Sequence, residues 1–481
     1  MPTPVPVRTQ LRRYNLETLW FPLTFGLFLG LCLIKFGNPV ILDHRIDSPV
    51  TLDEWMTQPW PARWANMMLL TLGLCGVLTA KKGTLRGFGS LPRWVWGAPA
   101  AWLGWQVVSG GYSVDSGLTR QTLPHFACVI GCFLLGATVL THRGWPQVLF
   151  IGLLAGFCFV LVRGMNQHFF EFRRDYQALV EGEKSGWKDF PAETLRRMEE
   201  EGLLVPSANG PQVRETILYK LQKGRINGTL VYPNALAGVI LLLFPLSLAL
   251  AITWTRALRP FLRYLVIALV AFLGVGCFYW TGSKAGWLIA LAVGSLSIWN
   301  RFPGSNRRKV GVMGLLVAIG LMMFALRFQS YFKQGATSTG ARFDYWRAAV
   351  ETTLDHPWVG TGPGTFQRPY AARKSPNSEM ARLTHNDFLQ QASDSGLPGA
   401  ITFLAWIGLV LHRIWSRMPD GLPGAVALGV TGWFLQGLVE FGLYLPALAW
   451  TGFTLAGVLV GLTREIPSTS QRQPDKASPS V

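Results

Sequence analysis

Apolar residues run along the chain in blocks of about 17–22, separated by shorter polar segments. Blocks of that length cross a hydrocarbon core of about 30 Å as helices, and none alternates as a barrel strand would. Because lipid offers backbone groups no water to bind, a helix must satisfy them internally. We therefore predict an all-α, polytopic integral membrane protein with about twelve transmembrane helices. The predicted spans lie near residues 19–36, 61–80, 92–109, 121–141, 146–163, 235–254, 263–280, 285–300, 310–326, 397–412, 423–439 and 446–463.

Two long polar loops interrupt these blocks, at residues 164–234 and 327–396. Both exceed the usual length of a connection, and stretches such as AETLRRMEEEG and QVRETILYKLQ have helical patterning, so we expect short helices in them. The loops divide the chain into groups of about five, four and three spans, at residues 1–163, 235–326 and 397–463. The polar tail, residues 464–481, has the composition of a disordered segment.

Charge defines the predicted topology. Basic residues such as Lys81, Arg259, Arg308 and Arg413 lie in short loops on one side of the bundle. The positive-inside rule makes these loops and both termini cytoplasmic, so the two long loops face outward. A net charge of +18 would suggest nucleic-acid binding in a soluble protein, but only 15% of the residues are charged and half are hydrophobic. We therefore expect membrane lipids around the chain and no nucleic-acid partner.

The second long loop carries a predicted helix, STGARFDYWRAAVETTLDHP, which Ser338 or Thr339 would cap and Pro357 would end. Arg342, Trp346 and Ala349 fall on one face of it. Arg342 is expected in the first turn, where a cation opposes the helix dipole. That position hints at an anion bound beside it, and a solvated arginine is the alternative.

Two further segments follow in the same loop. The glycines of GTGPGTFQ, residues 360–367, suit either close approach to a ligand or a plain tight turn. In THNDFLQQASDSGLPG, Thr384 and Asp387 resemble a capping box and Gly396 suits a helix end. His385 would then be the first helical residue, where the dipole favours a neutral, proton-accepting imidazole and free N–H groups receive phosphate. The alternative is a histidine that only packs or hydrogen-bonds.

Three ionisable residues near span ends are further candidates. Lys284 lies in the turn TGSKAGW between the seventh and eighth spans, and snorkelling to the surface would also explain it. Arg225 precedes the Tyr-Pro-Asn turn of KGRINGTLVYPNALAG. Glu440, at the outer end of the eleventh span, is a weaker candidate. Ionisable groups at a membrane boundary indicate a functional site by default.

Taken in order, GRINGTLVYPNALAG, TGSKAGW, ARFDYWRAAV, HPWVGTGPGTFQ and THNDFLQQASDSGLPGA resemble the O-antigen ligase and polymerase family. These bacterial polytopic membrane proteins move glycans from undecaprenyl diphosphate carriers. The resemblance covers about residues 225–412. It implies a bacterial inner-membrane protein with periplasmic long loops, which acts without a cofactor, a nucleotide sugar or an essential metal.

The resemblance also implies residue roles. His385 of the His-Asn pair corresponds to the proposed general base on the acceptor hydroxyl. Arg342 and Arg225 correspond to binders of the donor diphosphate, and Asn386 and Trp346 complete the predicted substrate-binding set.

Lys284 departs from the family pattern, which has an arginine in this turn. Lysine cannot make the planar bidentate phosphate contact that arginine makes. It still supplies a positive charge beside the predicted diphosphate.

The expected function is therefore glycan transfer from undecaprenyl diphosphate to an acceptor hydroxyl. Lipid A core is the favoured acceptor, because no appended repeat domain is evident. A growing O-antigen or exopolysaccharide (polymerase) and a protein (O-oligosaccharyltransferase) are alternatives. The rival from another class is a small-solute transporter, which should hold ionisable groups or broken helices near the midplane of repeated halves.

Overall fold

The computed structural model describes residues 16–78, 91–141, 145–200, 202–207, 210–301, 305–333, 337–376, 378–417 and 420–463. Within these ranges the chain is helical apart from its connections and one small antiparallel hairpin, β1 (Leu204–Val205) and β2 (Gln212–Val213). The all-α prediction is confirmed. The tail predicted to be disordered, residues 464–481, lies outside the described residues.

The helices are α1 (Leu16–Lys35), α2 (Leu52–Thr57), α3 (Ala62–Leu78), α4 (Trp94–Gly110), α5 (Ser116–Thr138), α6 (Trp145–Asn166), α7 (Phe172–Ser185), α8 (Ala192–Glu200), α9 (Glu215–Lys223), α10 (Pro233–Trp254), α11 (Pro260–Thr281), α12 (Lys284–Arg301), α13 (Asn306–Lys333), α14 (Thr337–Asp355), α15 (Gln367–Arg373), α16 (Asp387–Ser416), α17 (Gly421–Gln436) and α18 (Pro446–Leu462).

Each of the twelve predicted spans overlaps one of these helices. Among the described residues, six helical segments are long and apolar enough to cross a membrane, and four shorter apolar helices accompany them. The chain is therefore a multi-pass membrane protein. The figure of twelve crossings stays a prediction.

Small residues let the bundle helices approach closely. A Cβ added at Gly156 of α6 would lie 2.3 Å from the Cα of Gly30 in α1, and one added at Gly30 would lie 2.9 Å from the carbonyl oxygen of Gly152. Between α5 and α18, a Cβ at Gly457 would lie 2.0 Å from the carbonyl oxygen of Phe133. Such contacts allow dispersion to hold helices together where lipid gives no hydrophobic drive.

The first long loop builds a small unit with its own core. Helix α6 continues through a π-helical turn, Gln167–Glu171, into α7. Helices α7, α8 and α9 and the hairpin then pack around Trp187, Leu204 and Val213. Of the two charged stretches predicted to be helical, AETLRRMEEEG forms α8, whereas QVRETILYKLQ supplies β2 with its first two residues and α9 from Glu215 onward.

The second long loop packs on the ends of α4 and α5. Ser109 Oγ, in α4, donates to Val359 O at 2.6 Å, and Arg368 Nε donates to Asp115 Oδ2, before α5, at 2.7 Å. Helix α14 begins at Thr337, so Arg342 lies in its second turn and the predicted first-turn position is wrong. Because the dipole field fades after the first turn, it does not explain this arginine.

Candidate functional site

A single buried carboxylate, Glu440, binds side chains from three other parts of the chain. It lies between α17 and α18 and is 2% exposed. Its Oε1 accepts hydrogen bonds from Arg342 and from Asn234 Nδ2, the latter at 2.6 Å. Its Oε2 accepts from the Tyr232 hydroxyl at 2.9 Å and from His385 Nδ1 at 3.1 Å. We call these five residues the Glu440 cluster.

The cluster keeps Glu440 ionised. Burial by itself raises the pKa of a carboxyl group, but the hydrogen bonds of His385 and Tyr232 and the charge of Arg342 act against it, and the net pKa of Glu440 lies below its ordinary value. Burial, together with the same carboxylate, raises the pKa of the Tyr232 hydroxyl, which therefore keeps its proton and donates a hydrogen bond.

His385 does not begin a helix, and that prediction is wrong. Its φ is 52°, in the left-handed region, and the first helical residue of α16 is Asp387. A non-glycine residue with positive φ is uncommon and is held by its surroundings. This conformation directs the imidazole to Glu440, so the carboxylate and not the helix dipole defines its hydrogen bonding.

Asn386 caps α16, so the predicted capping role of Thr384 is also wrong. The side-chain oxygen of Asn386 accepts from Phe388 N and Leu389 N, both at 3.0 Å. These bonds satisfy free N–H groups at the helix start. Gly396 has φ 68° and ψ −176°, outside the helical region, so the first helical segment of α16 ends there, as predicted, and a second segment runs to Ser416.

Geometry leaves the other ring nitrogen of His385 able to accept a proton. A carboxylate only accepts hydrogen bonds, so the hydrogen on Nδ1 points to Glu440. No hydrogen bond to Nε2 occurs among the residues that the structure describes. The ring stacks on Tyr345, with centroids 5.9 Å apart, and meets Phe441 edge-on at 4.7 Å. Its side chain is 27% exposed.

Arg225 joins the cluster through Asn234. Its Nε donates to Thr281 O at 2.7 Å and its Nη2 to Asn234 Oδ1 at 3.0 Å. Burial lowers its pKa, as does the nearby charge of Arg342, while Glu440 acts in the opposite direction. Both hydrogen-bond acceptors of Arg225 are uncharged, so its positive charge is available to an anion.

Lys284 lies in the same positive region without touching Glu440. Its ammonium group sits 3.8 Å from the centroid of the Tyr331 ring, and the charges of Arg225 and Arg342 repel it. No salt bridge to Lys284 or Arg225 occurs within the described ranges. Asp387, the other carboxylate close to Glu440, faces the backbone N–H of Leu443. An excess of positive charge therefore surrounds the cluster.

Trp346 does not contact Glu440 and packs instead within the second long loop. It packs with Ala341 against Tyr345 and Ala349 and meets the ring of Phe343 edge-on at 5.6 Å.

The glycines of GTGPGTFQ make a tight turn. Gly360, Gly362 and Gly364 all have positive φ. A Cβ at Gly360 would lie 2.4 Å from the backbone of Asp394, so the turn packs directly on α16. Gly364 N donates to the Asp394 carboxylate at 2.8 Å, and Gln390 and the Tyr444 hydroxyl each donate to it at 2.9 Å. We call these four residues the Asp394 cluster.

The sequence ranked Glu440 as a weaker candidate, although it is the centre of the site. It gave Tyr232 and Asn234 only as parts of a turn and did not predict that their side chains bind Glu440. One signal was available, because Glu440 is the only charged residue between positions 421 and 463. An isolated carboxylate at a span end needs a cationic or hydrogen-bonding partner from elsewhere in the fold.

Comparison with known proteins gives a family match for part of the chain. No curated protein matches the chain. Residues 269–404 match the family model described as O-antigen ligase. The matched range holds Lys284, Arg342 and His385, whereas Arg225 and Glu440 lie outside it. The resemblance inferred from the motifs is confirmed over this range, where the chain is similar to the O-antigen ligase family.

Proposed function

We propose that this protein transfers a glycan from undecaprenyl diphosphate to an acceptor hydroxyl at the membrane face that bears the long loops. The observation that carries this proposal is that one buried carboxylate, Glu440, binds both Arg342 and a histidine with a free ring nitrogen. Arg225 is linked to the same carboxylate through Asn234. A base and an anion site side by side suit a reaction in which a hydroxyl loses a proton while a diphosphate departs.

In the proposed reaction, His385 Nε2 takes the proton of the acceptor hydroxyl as its oxygen attacks the anomeric carbon of the donor glycan. A new carbon–oxygen glycosidic bond forms, and the bond between the anomeric carbon and the diphosphate oxygen breaks. The electron pair of that bond leaves on undecaprenyl diphosphate. The proton on His385 then passes to water, which returns the base to its starting state.

Arg342, Arg225 and Lys284 supply the positive charge that the leaving diphosphate needs. Arg342 and Arg225 present planar guanidinium groups suited to phosphate oxygens, and Lys284 adds a compact charge. Trp346 and Asn386 support the walls and the helix start that hold these groups. We propose that no metal ion takes part.

An acceptor hydroxyl completes the proposed reaction. Lipid A core is our first candidate, because the family description is that of a ligase. In the proposed topology the protein lies in a bacterial inner membrane with cytoplasmic termini and periplasmic long loops. Polymerisation and transfer to protein differ from this reaction only in the acceptor. Assays with lipid A core, a growing glycan and a protein as acceptors therefore distinguish the three functions.

The test is an assay of purified protein with a lipid-linked glycan donor. His385→Ala is expected to lower kcat by about 10²–10⁴-fold, because a positioned general base contributes that much. Arg342→Ala is expected to lower kcat/KM for the donor by a similar factor. His356→Ala is the matched control, since this exposed histidine follows α14 and is not part of the Glu440 cluster.

Near-normal transfer by both His385→Ala and Arg342→Ala would contradict the proposed function. Solute uptake into proteoliposomes that survives His385→Ala would favour the transporter instead.

A further inference from the structure

Glu440 connects the proposed base with the proposed diphosphate site through its two oxygens. Oε2 accepts from His385 and Oε1 accepts from Arg342. Arg225 reaches the same carboxylate in one further step, through Asn234. Two hydrogen bonds thus link Arg342 to the base, and three link Arg225 to it.

We propose that Glu440 is a positioning residue that orients His385 and couples donor binding to proton transfer. The inference rests on the proposed function and deepens it. With Nδ1–H held by the carboxylate, Nε2 is the nitrogen left to face the acceptor hydroxyl. When Nε2 takes the proton, the imidazolium forms beside a buried negative charge, which stabilises it. Glu440 itself takes no proton, because Nδ1 keeps its hydrogen throughout.

Donor binding strengthens this support. Arg342 and His385 share the Glu440 carboxylate. A diphosphate bound to Arg342 competes for the guanidinium charge, which leaves more of the carboxylate's negative charge to act on the imidazolium. The base is therefore most effective when the donor is in place, and a bound acceptor without donor is less readily deprotonated.

Other groups do not replace Glu440 in this role. The titratable groups that face the carboxylate are His385, Arg342, Tyr232 and Asp387, with Arg225 behind Asn234. Asp387 is committed to the backbone N–H of Leu443, and its own carboxylate makes no contact with the imidazole among the described residues. Tyr232 is a donor to Glu440 and holds it in place.

The experiment separates kcat from KM in Glu440→Gln, which keeps the size of the side chain and removes its charge. We expect kcat to fall by about 10²–10⁴-fold, the range seen when a histidine base loses its carboxylate partner. The donor KM is expected to stay level or fall, because Arg342 loses a competing anion. Glu440→Asp restores the charge on a shorter side chain and is expected to recover part of kcat.

Non-additivity gives a second readout. Glu440→Gln combined with His385→Ala is expected to be no slower than His385→Ala alone, because the carboxylate acts only through the histidine. Asp394→Asn is the matched control: it neutralises another buried carboxylate, and kcat per folded protein is expected to change less than about threefold.

The outcomes distinguish this inference from the proposed function. If His385→Ala keeps normal transfer, the proposed function fails. If His385→Ala loses transfer but Glu440→Gln keeps its kcat, only the inference fails. The inference also fails if Glu440→Gln loses kcat while its donor KM rises in parallel, because the carboxylate would then support donor binding. Should Glu440→Gln not fold in detergent, the same comparison of kcat with donor KM is made for Glu440→Asp.

Discussion

Glu440 and Asp394 are both buried carboxylates at the end of the bundle that bears the long loops, yet they have opposite surroundings. Glu440 is 2% exposed and contacts an arginine and a histidine whose side chains reach solvent, at 20% and 27% exposure. Asp394 is fully buried and accepts from a backbone N–H, an amide and a hydroxyl. Burial is the same in both places, and the chemistry of the donors differs.

This difference separates a site from a scaffold. Neutral donors within the protein satisfy Oδ2 of Asp394 and tie the GTGPG turn to α16 and to Tyr444, while its buried Oδ1 has no hydrogen-bond partner among the described residues. The Glu440 cluster instead leaves Nε2 of His385 and much of the charge of Arg225 free for another molecule. A buried polar group alone indicates little, because such groups are nearly always satisfied. The partly exposed, ionisable partners are what indicate function.

The largest expected effect tests the scaffold. Gly360→Ala places a Cβ 2.4 Å from the Asp394 backbone at a residue with φ 63°. We expect the free energy of unfolding to fall by about 2–4 kcal/mol, from clash and backbone strain together. Thermal unfolding in detergent measures it. Gly340→Ala, in α14 with open space around its Cα, is the control and is expected to be neutral or slightly stabilising. Equal melting temperatures for the two variants would show that the turn is not a scaffold.

A change of intermediate size tests the site while its charge is conserved. Arg342→Lys keeps one positive charge but loses the planar guanidinium, so kcat/KM for the donor is expected to fall by about 10–100-fold. Arg347→Lys is the matched control one turn and a half along α14. Arg347 is exposed and pairs with Asp344 at 2.8 Å and Glu351 at 3.2 Å. Its replacement is expected to change kcat/KM less than about twofold. A similar loss in both variants would contradict a special role for Arg342.

The smallest expected effect is a pH dependence of stability. The pKa of Glu440 in the folded protein lies below its ordinary value of 4.5, since donors outweigh the effect of burial. Its ion pair therefore stabilises the fold fully above about pH 4.5 and loses that contribution as the pH falls through the folded-state pKa. The melting temperatures of the native protein and Glu440→Gln are expected to differ at pH about 6 and to converge below pH about 4.

An exposed ion pair serves as the comparison for this pH scan. Glu200 pairs with Arg196 at 3.0 Å on the surface of α8, where both side chains are largely exposed. Solvent screens such pairs, so Glu200→Gln is expected to match the native protein at every pH. A gap for Glu440→Gln that does not narrow in acid would mean that the carboxylate is not charged in the fold.

Local pattern was sufficient for the helices and insufficient for their exact starts. Each of the twelve apolar blocks predicted to be a span overlaps a helix, because helix formation depends on neighbours in sequence. The start of α16 was misplaced by two residues, since Thr384 and Asn386 are both good capping residues and only the packed chain selects between them. The start of α14 was misplaced in the same way, and with it the argument from the helix dipole at Arg342.

The sequence by itself determined the fold class, the helices and the chemistry available to the site: a histidine beside an asparagine, and arginines and a lysine near span ends. Only the tertiary structure decided which of these meet. Glu440 lies 55 residues from His385, 98 from Arg342 and 208 from Tyr232 along the chain. No local periodicity encodes contacts of that separation. They follow from how whole helices pack, and they make an isolated carboxylate the centre of the site.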